Sequence, residues 1–234
     1  MNRITDAALA DATALVAGGA DAYIVENFGD RPFRRATADP ETVSAMTAVI
    51  VNLMREFPGF PFGINVLRND ARSALGIACS TGAAFIRVNI HIGAMVTDQG
   101  ILEGTADVTL RERSRLATDC GIFADHLVKH ATPISVIDPA MLARDMRSRG
   151  MADVLVVTGA ATGEPADIER LRIVRDSVDA PIVLGSGLTL ENACMWASLV
   201  DGAIVGTSIK QHGLIASPVD ATRVRALVEA FKSS

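Results

Sequence analysis

Two short stretches near the end of the chain, Pro181-Ile-Val-Leu-Gly-Ser-Gly187 and Gly202-Ala-Ile-Val-Gly-Thr-Ser208, decide how the rest is read. Each is an aliphatic run that breaks into glycine and hydroxyl residues, the pattern of a buried parallel strand entering a tight loop. Five earlier runs have the same form: Ala22 to Glu26, Pro61 to Leu67, Phe85 to Ile90, Ile122 to Val128 and Asp153 to Thr158. With Pro181 to Leu184 and Ala203 to Val205 they make seven strands. Their starts average about 30 residues apart, the length of one βα unit. Stretches of helical period lie between them: Thr5 to Ala17, Pro40 to Phe57, Asp70 to Ser80, Thr109 to Cys120, Pro139 to Arg149, Asp167 to Ser177, Leu190 to Leu199 and Pro218 to Phe231. Asp39, Asp138 and Thr189 are placed to cap three of these helices. Small phrases such as Gly19-Ala20-Asp21 and Asp201-Gly202-Ala203 introduce the strands and mark the amino-terminal face.

A repeat of this kind builds either a closed TIM barrel or an open doubly wound sheet. The barrel is favoured. No Gly-x-Gly-x-x-Gly follows the first strand and no phosphate-loop motif is present, whereas Gly185-Ser186-Gly187 follows the sixth strand, where a barrel uses it. The reading is one α/β domain over residues 1–234, a (β/α)8-type barrel with seven strands recognised and the first missing. Without that strand, Ala22 and Ala203 begin strands with unpaired edges, each buried orphan group costing on the order of 1–3 kcal/mol. Either the true start lies upstream of Met1, or a partner subunit or rearranged segment covers the gap; a homo-oligomer is expected.

Hydrophobic residues make up 49% of the chain and charged ones 21%, enough to bury a large core and no case for disorder. The net charge of -5 and the absence of a basic stripe argue against nucleic acid. Cys79, Cys120 and Cys194 are odd in number and lack metal-ligand spacing, which points to a reducing cytoplasm and not to a disulfide framework. No apolar run approaches the ~20 residues of a membrane span, and the first twenty residues read as an amphipathic helix, not a leader.

Barrel enzymes commonly hold phosphate with the loops after their last two strands. Here these are Gly185, Ser186, Gly187 and Gly206, Thr207, Ser208, with Lys210 adding charge. The glycines admit an oxyanion close to the backbone; the plain alternative is that they only turn the chain. A second cluster lies in Phe123-Ala-Asp125-His126-Leu-Val-Lys129-His130. Strand alternation puts Asp125, Leu127 and Lys129 on one face. A carboxylate beside an ammonium suits a proton shuttle, a carbonyl anchor or a Schiff-base nucleophile, or else a salt bridge that closes the core. Glu26, Asn65, Arg68, Arg87, Asn89 and Thr158 extend the polar rim. The long segment from Gly93 to Asp107 carries Asp98 and Gln99 as a lid or a surface excursion. Glu26 and Asp125 with His91 or His130 offer ligands for a divalent metal, though no tight motif requires one.

Val25-Glu-Asn-Phe-Gly-Asp30, Asn65-Val-Leu-Arg-Asn-Asp70, Phe85-Ile-Arg-Val-Asn89, Thr97-Asp-Gln-Gly100, Phe123 to His130 and Gly185-Ser-Gly187 together resemble the BtpA/SgcQ family of TIM-barrel proteins across essentially the whole chain. Members of that family usually begin with a short strand and a Pro-rich loop of the form Met-Val-His-Leu-Pro-Pro-Leu-Pro-Gly, which is absent here. The resemblance implies two unlike roles: one branch is named for photosystem I accumulation, another is encoded beside sugar-phosphate genes and looks like an enzyme.

The reading favours an enzyme acting on a small phosphorylated sugar or nucleoside-like compound by isomerase, lyase or aldol-type chemistry. Asp125 and Lys129 would transfer protons with help from Glu26. Asn65, Arg68, Arg87, Asn89, Asp98, Gln99 and Thr158 would contact the substrate, and no cofactor is required. The rivals are a non-catalytic assembly factor and a metal-dependent hydrolase.

Overall fold

The computed structural model describes residues 1–159 and 167–233. In chain order its strands are β1 (Tyr23–Glu26), β2 (Phe62–Asn65), β3 (Phe85–Val88), β4 (Ala94–Thr97), β5 (Gly100–Glu103), β6 (Gly121–His126), β7 (Ala131–Pro133), β8 (Val154–Val157), β9 (Ile182–Leu184) and β10 (Gly202–Ala203). The helices are α1 (Asn2–Ala17), α2 (Pro40–Glu56), α3 (Ala71–Thr81), α4 (Ala106–Arg115), α5 (Pro139–Ser148), α6 (Ile168–Ser177), α7 (Ala193–Ala197) and α8 (Ala221–Lys232). All seven strands read from the sequence enter one curled parallel sheet in chain order, β1-β2-β3-β6-β8-β9-β10. The architecture is that of a TIM barrel lacking one strand.

Side chains alternate across this sheet. Ile64, Ile86, Ile122, Leu155, Ile182 and Leu184 point to the helices and are fully buried. The opposite parity, Ile24, Gly63, Phe85, Phe123, Val154 and Val183, faces the barrel interior. There Phe85 and Phe123 stack with centroids 4.1 Å apart. Gly63 leaves room for the Phe85 ring, since a Cβ at that position would lie 2.2 Å from it. Charged and polar residues follow at the carboxyl ends of the same strands, so an apolar floor underlies a polar mouth.

Local caps set the helix starts. Asp70 accepts from Ser73 N, Asp138 from Ala140 N, Asp167 from Glu169 N and Arg170 N, and Asp220 from Thr222 N and Arg223 N. Asp39 occupies the cap position of α2 without making that bond. Thr189 does not cap: α7 begins only after Asn192, whose Oδ1 accepts from Thr189 N and whose Nδ2 donates to Gly187 O. The helix expected from Leu190 is therefore shorter, because its first residues are tied into the preceding loop.

β1 and β10 are the outermost strands, and among the described residues no strand pairs with either outer edge. The helical layer nevertheless runs across the opening, with α8 packed on α1. Lys210 Nζ lies 3.3 Å from Asp11, Val219 N donates to Asp11 at 2.8 Å, and Lys232 Nζ lies 2.6 Å from Asp21. The outer ring closes although the inner one does not. No described helix is long and apolar enough to cross a membrane.

The segment from Gly93 to Asp107 is not an irregular loop. β4 and β5 form a two-residue hairpin turning at Asp98-Gln99, and β7 pairs with β4 from the other side. Met95 and Leu102 pack beneath this small sheet with Ile90 and Val128, forming a cluster of their own. Val96 and Ile101 face out, 48% and 47% exposed, and Ile134, whose N–H donates to Ala94 O, is exposed as well.

Candidate functional site

Parallel register brings the polar residues together. Glu26 pairs with Asn65 across β1 and β2, and Phe85 and Ile86 pair with Gly121 and Ile122 across β3 and β6. Arg87, two residues on from Phe85, therefore stands inside the barrel beside Glu26 and Asp125. Its Nε donates to Asp125 Oδ1 at 2.9 Å and its Nη2 to Oδ2 at 3.1 Å, a two-point pairing. Asn89 Nδ2 donates to the same Oδ2 at 2.9 Å. Glu26 Oε1 lies 3.6 Å from Arg87 Nη1 and accepts from Asn65 Nδ2 at 3.3 Å. Burial pulls the Arg87 pKa down, but the charges of Asp125 and Glu26 outweigh it and hold the guanidinium above its ordinary value.

The Asp125 carboxylate thus accepts three hydrogen bonds and its side chain has no exposure; the Glu26 side chain is 26% exposed and more loosely held. Asn65 and Asn89 each point the amide nitrogen at a carboxylate, which fixes the orientation of the group. Their Oδ1 atoms are buried and without a partner among the described residues.

Lys129 reaches this cluster by another path than the one read from alternation. β6 ends at His126, and Leu127 and His130 take positive φ of 62° and 53°, so parity does not carry past the strand end. The chain folds back instead. Arg68 Nη2 donates to Lys129 O at 2.6 Å, and Thr158 Oγ1 donates to Leu127 O at 3.3 Å. The Lys129 ammonium sits within electrostatic reach of Arg87, Asp125 and Glu26. Burial, and then the Arg87 charge, lower its pKa; Asp125 and Glu26 only partly oppose them. Burial likewise lowers the Arg68 pKa, opposed by Asp98 at the hairpin tip, where Gln99 Nε2 donates to Asp98 Oδ2 at 2.6 Å.

The two glycine loops lie side by side at this same end. Ile204 N donates to Leu184 O, and Ser208 Oγ to Leu188 O, both at 2.7 Å. Among the described residues no acceptor takes the backbone N–H of Ser186, Gly187, Gly206, Thr207 or Ser208. Ser186 Oγ is buried without a partner. Gly185 itself is there for packing: its N–H donates to Val157 O, and a Cβ would lie 2.3 Å from Thr158 Cγ2 and 2.6 Å from Val156 Cγ1. That Cβ position is 3.5 Å from Arg87 Nη2, which joins the loops to the charged cluster. Gly206 has open space around it. Lys210 does not belong to this loop site, because Asp11 and Ser217 O hold its ammonium against α1.

His91 is also elsewhere. It is buried between the start of α4 and the turn before β8, with Nε2 2.7 Å from Gly150 O, and faces Arg113 and Asp153. It cannot join Glu26 and Asp125 around a metal. Among the described residues no three His, Cys, Asp or Glu side chains converge on a cation position. Burial lowers the His91 pKa, and that of His126, whose Nε2 lies 3.0 Å from Pro139 O. Cys120 is buried and its thiol pKa is pushed up to about 12 by desolvation, an inert sulfur.

Two features of the mouth escaped the sequence reading. Asn27 accepts from Leu67 N at 2.7 Å and donates to Leu67 O at 3.4 Å, and Asn69 does the same to Ile90 at 2.8 and 2.9 Å. Each side-chain amide imitates a peptide group and prolongs the ladder beyond the strand end. The loop after β1 carries Arg31 over the Phe28 ring, and Arg35 donates to Ile101 O at 3.1 Å, which ties it to the hairpin. The recurrence of Asn after a polar strand end, in Glu26-Asn27 and Arg68-Asn69, was the available signal.

The BtpA family model matches residues 1–233. The photosystem I biogenesis protein BtpA of Synechocystis sp. is 44% identical over 232 residues, 99% of this chain and 80% of that protein. A protein of Thermococcus kodakarensis is 42% identical over 98% of this chain and 86% of its own length. Among solved structures, thiamine phosphate pyrophosphorylase of Pyrococcus furiosus superposes with a TM-score of 0.62 at 16% identity, covering 96% of this chain and 89% of that one. N-(5'-phosphoribosyl)anthranilate isomerase of Pyrococcus furiosus gives 0.60 at 16% identity, covering 95% and 94%. At such identities the likeness is one of fold.

Proposed function

The chain belongs to the BtpA family, and from that premise and the geometry of the mouth we propose that it is an enzyme acting on a small phosphorylated sugar or nucleoside-like compound. The phosphate binds the unpaired N–H groups of Ser186, Gly187, Gly206, Thr207 and Ser208, with the hydroxyls of Ser186 and Thr207 beside it. Arg87, locked by Asp125, orients the remainder of the substrate, and Asn65 and Asn89 accept from its hydroxyls. Glu26 and Lys129 transfer protons in an isomerase, lyase or aldol-type step. Asp125 passes from proton carrier to anchor, because both of its oxygens are already taken up by Arg87 and Asn89. Asp98 and Gln99 close over Arg68 on the hairpin.

One observation carries this reading: Gly185, at the root of the anion loops, lies beside Arg87, at the centre of the charged cluster. A phosphate and a reacting carbon a few ångströms apart would therefore meet both at once. The test is a thermal-shift screen of sugar phosphates and nucleotides against their unphosphorylated parents, since a ligand of the native state raises the midpoint by mass action. Stabilisation by a phosphorylated compound and not by its parent is expected; a screen in which no phosphate ester shifts the midpoint refutes the reading.

The assembly-factor role named for the Synechocystis relative has its own support in the exposed side chains of Val96 and Ile101 on the hairpin sheet and of Ile134 just past β7. Substituting Val96 and Ile101 by Lys separates the two: loss of a complex with small-molecule binding intact favours assembly.

A further inference from the structure

The chain holds nineteen arginines and three lysines. Arginine supplies the cation where the fold needs a fixed one, as on Asp125, Asp153 and Asp201. Two lysines are paired as well, Lys210 with Asp11 and Lys232 with Asp21. Lys129 is the exception. Among the described residues no carboxylate or carbonyl holds its ammonium, although it stands within the field of Glu26, Asp125 and Arg87. A guanidinium keeps its proton at any working pH, whereas an amine can lose it and attack. A lysine placed in this one position, in a chain that otherwise prefers arginine, has a use that charge alone does not explain.

Building on the proposed phosphate site, we propose that Lys129 forms an imine with the carbonyl carbon of an open-chain hydroxy-aldehyde or hydroxy-ketone phosphate held in the mouth. Three features fit that role. The Lys129 carbonyl is held by Arg68 at 2.6 Å, which anchors the root of the side chain at the mouth. Glu26 is the exposed carboxylate of the cluster and can take the proton that the ammonium must lose. The buried Oδ1 atoms of Asn65 and Asn89 lack donors, which hydroxyl groups next to a carbonyl would supply. Burial and the neighbouring guanidinium favour the neutral amine.

The step balances without a co-reactant. The Nζ lone pair of the neutral amine adds to the carbonyl carbon, and the carbonyl pair moves to oxygen, which takes the proton that the now cationic nitrogen gives up. The nitrogen pair then forms C=N while the C–O bond breaks and the oxygen leaves as water, its second proton coming from Glu26. Amine plus carbonyl gives imine plus water.

The full-length chain is incubated with ribose 5-phosphate or dihydroxyacetone phosphate and sodium cyanoborohydride, then analysed by intact mass and peptide mapping. The borohydride reduces the imine to a stable secondary amine. The expected result is a single adduct, of the probe's mass less one oxygen, on Lys129, absent from a folded Lys129→Arg variant. No adduct, or one spread equally over Lys210, Lys232 and the Met1 amine, overturns the imine. Thermal shifts with the same probes keep the two readings apart. A shift without an adduct overturns the imine alone. An adduct formed equally well from unphosphorylated glyceraldehyde supports the imine and overturns the phosphate site.

Discussion

Replacing Asp125 by Ala separates an anchor from an acid. The Asp125 side chain has no exposure and that of Arg87 is 10% exposed, so the pair sits out of water. Truncation removes the acceptor of two Arg87 bonds at 2.9 and 3.1 Å and of the Asn89 bond at 2.9 Å. The guanidinium is left with Glu26 at 3.6 Å. Breaking a buried pair from one side costs about 3–5 kcal/mol, most of it the stranded charge. Urea unfolding followed by the fluorescence of Trp196, buried in α7, reads this directly. At an m value near 3 kcal/mol/M the midpoint should fall by about 1–1.7 M. Arg87→Met should cost a similar amount, and the double variant less than the sum of the two, with a coupling of up to about 3 kcal/mol. A midpoint shift below about 0.3 M for Asp125→Ala, which is under about 1 kcal/mol at that slope, refutes the reasoning and the anchoring role of Asp125.

Acid should destabilise the fold through its buried imidazoles. The pKa values of His91, facing Arg113 and Asp153, and of His126, facing Arg170, are both lowered by burial. The unfolded chain therefore binds more protons below about pH 6.5, and stability is full above that value and lost as the pH falls toward the folded pKa values. Urea midpoints at pH 7.5 and 5.5 check this: a flat or rising profile on acidification contradicts it, and His91→Gln should flatten it. Gly185→Ala should cost about 1–3 kcal/mol through overpacking against Thr158 and Val156, whereas Gly206→Ala should stay within about 0.5 kcal/mol and weaken phosphate-ester binding on the order of tenfold, or 1.4 kcal/mol; equal midpoints for the two variants would contradict the packing argument. Self-association is expected to cover the outer edge of β1, so light scattering should give a multiple of 24.6 kDa, and a monomer at micromolar concentration would count against it.

The strands were legible because a parallel strand buried on both faces is a dense aliphatic run, and seven such runs at one spacing leave few folds open. The hairpin at residues 94–103 was not, although Met95 and Leu102 alternate with Val96 and Ile101. Its apolar residues serve a cluster of four side chains that does not exist until Ile90 and Val128 arrive from the segments after β3 and β6. Membership of the mouth was readable for Glu26, Asn65, Arg87, Asn89 and Asp125, since each lies at a strand's carboxyl end with inward parity. Parity failed for Lys129, because the strand stops at His126 and positive φ at Leu127 turns the chain. Roles were harder to read than places. Gly185 suggested room for an anion, while the crowding that requires a glycine comes from Thr158 and Val156 on the adjacent strand. His91 looked available for a metal at the mouth, yet it lies past the end of β3 and its ring meets Gly150 O.

The most direct measurement is a crystal structure with ribose 5-phosphate soaked or co-crystallised at neutral pH. The phosphate should accept from the backbone N–H groups of Ser186, Gly187, Gly206, Thr207 and Ser208, with the C1 carbon about 3–3.5 Å from Lys129 Nζ. A ligand seated on the Val96 and Ile101 face, or a mouth that stays empty while the compound stabilises the protein, would contradict the account.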